Sequence, residues 1–420
     1  MIPNGLLKII LPALLSVLLL IPSESDGNEF KKTDEYAINA PERSERDILQ
    51  LTAYLIKPFK NQKHKVRAIF TWITHHIAYD TESFLNGKFG AVYPEDILQR
   101  RKAVCEGYAR LFKKMVKTAG MEAEFIGGYS KSYNYEPGSL FSKQNSHAWN
   151  AVKIDGQWYL LDVTWGAGYM DEHNKFNAMF NDYYFLTPPE QLIQSHFPNE
   201  VKWQLLDKKW SRADFEQSAY IKAAFFSYGI KTESHKQYQV PAEDSLLIIL
   251  INPGDIQIVG RLYYNRTELD VMFIFTQNQK NKTEIRAVFP ESAQYTLRLF
   301  AKRKSDSHTY TWIMDYLIDA KKTSTQLMGF VEKYSLFDDL NGYVYKPLNR
   351  FLNPGSVTNF QLRIDKVNQV VFIKNDRIIP LTLNGSLYSG SLPIDGDETV
   401  IAVKLNEGNQ YHYILRYVAK

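Results

Sequence analysis

The chain has 420 residues with 50 basic and 46 acidic side chains, and a net charge of +4 gives no case for nucleic-acid binding. Hydrophobic residues make up 45% and aromatic residues 14%, enough for two or three packed domains without disulfide staples. Cys105 is the single cysteine, so an internal disulfide is excluded and the sulfur is either a silent packed thiol or a nucleophile.

Lys8, the apolar run 9–21 and the small residues Ser23 and Ser25 read as a secretory signal peptide over residues 1–25. Glu24 and Asp26 follow with no basic stop-transfer cluster, which argues against an uncleaved anchor. The expectation is an extracytoplasmic protein, secreted or periplasmic, with no membrane contact beyond that segment.

Residues from about 40 to 210 mix helical and strand patterns, and 26–210 form the first expected domain. Residues 41–47 lead into a helix through Leu51, Tyr54 and Leu55, and a second helix over 63–76 aligns Val66, Ile69, Phe70 and Ile73 on one face. Residues 78–80 end that helix, and Pro94 opens a short one where no amide donor is missed. After Cys105, Ala109, Phe112, Met115, Val116 and Ala119 recur at helical spacing until Gly120. Strands are predicted at 122–129, 147–154 and 157–162, the last two joined by an Asp155-Gly156 hairpin turn.

From about residue 230 the texture turns to short β-rich runs with regular turn residues. The first set is 246–251, 256–263, 269–275, 285–289, 295–300 and 310–316. The second is 360–364, 370–374, 378–383, 386–392, 398–405 and 411–417, with Asn375-Asp376 and Asn384-Gly385 as turns. The fold class read from this is α+β followed by two all-β sandwich domains, residues 211–325 with a leading helix and 326–420, their junction within 319–338.

Nucleophilic catalysis by cysteine needs a base and a group that orients the base. Cys105 falls on the first turn of a predicted helix, where the dipole and free amides favour negative charge on sulfur and on an oxyanion. His147 lies 42 positions downstream at the entry to a strand. A tight turn at Asp155-Gly156 pairs positions that sum to 311, which sets the partner of His147 near position 164. Asp162 is then its diagonal neighbour on the same face. Cys105 alone reads as a small buried hydrophobe, His147 alone as a structural histidine and Asp162 alone as a strand-end residue. Their joint placement carries the inference.

Cys-Glu-Gly-Tyr-Ala at 105–109, Ser-His-Ala-Trp-Asn at 146–150 and Trp-Tyr-Leu-Leu-Asp-Val-Thr-Trp at 158–165 together resemble the transglutaminase-like superfamily. Tyr-Tyr-Phe-Leu-Thr-Pro-Pro-Glu at 183–190 and Ser-His-Phe-Pro at 195–198 are similar to the kyphoscoliosis peptidase and cytokinesis-protein branch. The resemblance covers residues 45–210, more loosely a helix over 214–226, and beyond 230 only a general similarity to immunoglobulin-like β domains. It implies a papain-like core with Cys105 as nucleophile, His147 as general base and acid, and Asp162 as orienting carboxylate. It also sets Tyr79 beside the oxyanion, as a candidate donor. The implied activity is acyl transfer from peptide amides through a thioester. Water as acceptor makes it a peptidase or amidase, and a lysine amine makes it a crosslinking transglutaminase. The alternative is a catalytically silent binding or scaffold module on the same fold.

The expected partner is a protein or peptide substrate, cell-wall and surface proteins included. No cofactor or metal is expected, since His75-His76 and Asp171-Glu172-His173 match no ligand spacing. Trp149, Trp158 and Trp165 are expected to pack around the site, and the loop 130–145 to border its groove. Asn265, Asn281 and Asn384 head glycosylation triplets that matter only in a glycosylating host.

Overall fold

The computed structural model describes residues 29–420, apart from 88–91, 133–134, 136–137, 140, 143–144, 172, 307–308, 325–327, 375–376, 397 and 406–409. The expected signal peptide over 1–25, Glu172 and the expected turn Asn375-Asp376 therefore lie outside the described residues.

The first core is built on helices α1 (Ile48–Ile56), α2 (Gln62–His76), α3 (Cys105–Thr118) and α4 (Val163–Ala167). Asp47 and Asn61 start α1 and α2 by accepting backbone amides of Gln50 and Lys63, groups the helices cannot satisfy internally. The apolar face of α3 buries Leu111, Phe112, Met115 and Val116, each worth roughly 1.5–3 kcal/mol of transfer free energy when removed from water. These pack with Phe70 and Trp72 of α2 and with Val152 and Leu161 of the sheet in one cluster.

That sheet is antiparallel, with strands β1 (Ala123–Ser130), β2 (Ser146–Ile154), β3 (Gln157–Leu161) and β4 (His196–Pro198) in spatial order β3-β2-β1-β4. The β2–β3 hairpin turns through Asp155 at φ 48° and Gly156 at φ 86°, the paired positive angles of a two-residue turn whose twist suits the strands. Its register runs from Ile154↔Gln157 to Asn150↔Leu161, so the pairing sum of 311 holds. The extrapolation beyond it does not. The polypeptide leaves the sheet after Leu161 and turns into α4, so no strand residue near 164 faces His147, whose ladder partner is Gly128 of β1. Gly128 is needed for space, because a Cβ there would stand 2.2 Å from the Phe197 carbonyl oxygen and 2.6 Å from the Trp149 ring. Its absence lets β4 lie against β1.

Two β-sandwiches follow. In the first, the sheet of Lys231–Thr232, Ser245–Ile251, Lys282–Val288 and Ile274–Asn278 faces one built around Ile256–Tyr264, Ala293–Arg303 and Thr311–Ala320. The second pairs a sheet around Val367–Lys374, Glu398–Leu405 and Tyr411–Ala419 with one of Tyr343–Lys346, Val357–Arg363, Leu387–Pro393 and Thr382–Asn384. The architecture is the expected α+β core followed by all-β domains.

Three local expectations are corrected. The run 269–275 is not one strand, since Asp270 caps a 3-10 turn at Val271–Phe273 and the strand begins at Ile274. The run 378–383 divides at buried Leu381 into Arg377–Pro380 and Thr382–Asn384, which join opposite sheets. The helix over 214–226 divides into Arg212–Gln217 and Ala223–Ser227, with the strand Tyr220–Ile221 between them. Phe215, Ala219, Tyr220, Ile221 and Phe225 are all buried, more than one helical face can hold. Tyr220 and Ile221 instead pair with Asp315 and Met314 on the first sandwich.

Candidate active site

Cys105 is the first residue of α3, partly exposed, with Val104 as N-cap. Its helix is tied to the sheet by Asn150, whose amide nitrogen donates to the carbonyls of Ala109 in α3 at 2.9 Å and Glu124 in β1 at 3.0 Å. His147 enters from β2, 8% exposed, and Asp162, fully buried, caps α4.

The Nε2 of His147 lies 2.7 Å from Asp162 Oδ2 and donates to it. Cys105 stands close enough for its charge to act on the same imidazole, and with Nε2 engaged by Asp162 the ring nitrogen left for the sulfur is Nδ1. Burial alone would lower the His147 pKa. The Asp162 carboxylate outweighs this, Cys105 adds to it, and the imidazole is pushed up to about 10. Burial would raise Asp162, but His147 and then His196 hold its carboxyl well below the usual range.

His196, 1% exposed on β4, is the functional residue that residue-level reasoning missed. Its Nε2 donates to the same Oδ2 at 3.0 Å, and its Nδ1 accepts from the Ser195 hydroxyl at 2.8 Å. Burial lowers its pKa, so it is a neutral donor. The backbone amides of Thr164 and Trp165 donate to Oδ1 at 2.8 and 3.0 Å, giving the carboxylate four donors. The Ser-His-Phe-Pro string is the only sequence signal for His196. The imidazoles sit among Trp149, Trp165 and Tyr184, with Trp165 4.4 Å from the His196 ring. Trp158 instead packs on Trp203.

Tyr79 lies beside Cys105. Burial, then the charge of Cys105, pushes its phenol pKa far up, so the hydroxyl keeps its proton and can donate. Cys105, His147 and Tyr79 line one cavity of about 650 Å³. Lys131, Ser132 and Tyr135 of the 130–145 loop line it too, and the first β-sandwich closes one side.

His147, Asp162 and His196 place ligand-type atoms within 4.8 Å of one another. Tetrahedral zinc ligands at about 2.0–2.1 Å stand about 3.3 Å apart. The 2.7 and 3.0 Å contacts here are hydrogen bonds that close the carboxylate around its donors. The other histidine-rich runs are occupied locally. His75 bonds the Thr71 carbonyl, His76 stacks on Trp72, and Asp171 accepts the amides of His173 and Lys175.

Residues 50–163 match the transglutaminase-like superfamily, and residues 212–330 match the KY-like, immunoglobulin-like domain. Kyphoscoliosis peptidase of Homo sapiens is 26% identical over 93% of this chain and 77% of that protein. Kyphoscoliosis peptidase of Mus musculus is 32% identical over 69% of this chain but only 43% of that protein. Cytokinesis protein 3 of Schizosaccharomyces pombe is 23% identical over 47% of this chain and 22% of that protein. The chain thus carries a transglutaminase-like superfamily domain followed by a KY-like, immunoglobulin-like domain on one polypeptide, and it is similar to the branch that holds kyphoscoliosis peptidase and cytokinesis protein 3.

Proposed function

We propose that the protein is a cysteine enzyme that cleaves or transfers the acyl groups of peptide amides through a thioester on Cys105. The observation that carries this is the convergence of Cys105 and Asp162 on opposite sides of the His147 imidazole, at a helix N-terminus that opens into a cavity. His147 takes the thiol proton through Nδ1, and the sulfur adds to the substrate carbonyl carbon. The tetrahedral oxyanion is met by amides of the first turn of α3 and by the Tyr79 hydroxyl. Collapse breaks the C–N bond, and the departing amine takes its proton from His147. Water, or a second amine, then gives its proton to His147 as it attacks the thioester, which releases an acid or a new amide and restores the thiol.

Hydrolysis is supported by the name of the human and mouse relatives, and transamidation by the superfamily's name. Both share the first half-reaction. Mass spectrometry of the protein with candidate peptides and an amine donor, against Cys105→Ala, separates them. Hydrolysed fragments or amine adducts that vanish in the variant are expected, and products unchanged by it would sink the proposal.

The second reading is a scaffold that keeps the fold without the chemistry. It is favoured by the two sandwiches, which make up half the chain and present broad β surfaces. We also propose that residues 1–25 direct export, so the substrate is extracytoplasmic. N-terminal sequencing of protein from fractionated host cells checks this, with a start near Asp26 expected.

A further inference from the structure

The first β-sandwich contributes a wall to the Cys105 cavity, and that wall is cationic. Arg298, Trp312 and Asp315 come from its central strands, and Tyr220 and Lys222 from the segment paired to them. The Arg298 guanidinium lies 4.0 Å from the Trp312 ring. The Lys222 Nζ lies 4.1 Å from the same ring and 4.0 Å from Tyr220. The cations and rings thus form a continuous strip. Lys131, 3% exposed, adds a third cation from the core side, with Nζ donating to the Ser218 hydroxyl at 2.7 Å and its carbonyl at 3.0 Å.

One carboxylate, Asp315, faces Arg298 and Lys222, and it is fully engaged. Asp315, 2% exposed, accepts from Arg298 Nε at 3.0 Å and Nη2 at 2.8 Å, and from the Trp312 indole at 2.8 Å. Among the described residues no carboxylate forms an ion pair with Lys131 or Lys222, although both line the cavity. Burying an amine without a counter-charge is costly. That cost shows as a fall of Lys131 to about 7 by burial. Lys222 falls to about 8, also by burial, with Asp315 opposing and Arg298 assisting. An anion entering the cavity would supply the missing charge. Among the described residues the Lys131 Nζ donates only to Ser218, and the Lys222 Nζ donates only to the neutral Tyr220 hydroxyl.

We propose that this wall is an anion-recognising subsite, so that the substrate of Cys105 carries a carboxylate, from an acidic residue or the carboxyl end of a peptide, beside the acyl group attacked. The proposal rests on the enzyme reading above. It makes the sandwich part of the specificity machinery rather than a spacer, since the cationic strip comes from it.

With one cysteine in the protein, alkylation reports on Cys105 alone. The test compares second-order rates for iodoacetate, an anion, and iodoacetamide, its neutral isostere, in the full-length protein. The iodoacetate-to-iodoacetamide ratio should fall about fivefold in Lys222→Met and stay near wild type in Lys222→Arg. Thermal melts confirm that both variants are folded. Comparing variants cancels the attraction of the His147 imidazolium, which all of them keep. A ratio unchanged in Lys222→Met overturns the subsite. Failure of the underlying enzyme reading shows separately, in the neutral reagent alone, as slow iodoacetamide alkylation of wild type that His147→Ala does not change.

Discussion

The Asn150 amide nitrogen and the Ala109 carbonyl oxygen stand 2.9 Å apart, joining the strand that carries His147 to the helix that carries Cys105. Asn150 lies three residues past His147, and Ala109 lies one helical turn past Cys105. With a second bond from the same nitrogen to Glu124, this fully buried amide fixes the sulfur–imidazole relation from behind.

Asn150→Leu should therefore impair the site without touching it. Two buried carbonyls lose a donor, at a cost of about 1–3 kcal/mol. The expected result is that loss in chemical denaturation, together with slower alkylation of Cys105. Wild-type alkylation in a destabilised variant would show that the bond serves stability only.

His196 acts through Asp162. Replacing it with Leu removes one of two donors to Oδ2 and leaves the carboxylate more basic, so His147 should hold its proton more tightly. The alkaline limb of activity should move upward while kcat falls and KM changes little. Gln, which restores an N–H donor, should bring both back toward wild type. An alkaline limb unmoved in His196→Leu would reduce His196 to packing.

The pH dependence of stability has a defined sign. The folded pKa of His147, about 10, lies above its unfolded value of 6.5. Its contribution is full below 6.5 and disappears as pH rises toward 10. Asp162 is lowered from 3.8, so its contribution is present above 3.8 and is lost as pH falls through the depressed folded value. The stability gap between wild type and His147→Gln should be widest near pH 4–6.5 and narrow steadily on the alkaline side. Denaturation midpoints for the two proteins across pH check this, and a gap that widens from 6.5 to 10 contradicts the assigned partner.

Tyr79→Phe isolates one hydroxyl. If that hydroxyl meets the oxyanion, kcat should fall about a hundredfold. The melting temperature should hold, since the ring contacts with Phe84 and Phe176 survive the change. Undiminished kcat would leave the oxyanion to the backbone amides of α3.

Much of the molecule was legible in the sequence because local forces decide it. Helical spacing after Cys105 placed the sulfur on a first turn, and Asp155-Gly156 set the register of the hairpin for five residue pairs. Alternating runs announced the two sandwiches. Where a segment was pulled into distant partners, local pattern failed. The helix that the resemblance extends over 214–226 is broken in this way, because Tyr220 and Ile221 pair as a short strand with Asp315 and Met314.

The sequence alone determined the sulfur at its helix start, the hairpin and the order of the domains, since each depends on neighbours a few positions apart. Only the tertiary structure decided how Asp162 reaches His147, that His196 joins them 34 positions later, and that the sandwich closes the cavity with Lys222 and Arg298. These depend on where the backbone leaves a sheet and on how separate sheets are docked, and burial of apolar surface that no short segment holds sets both.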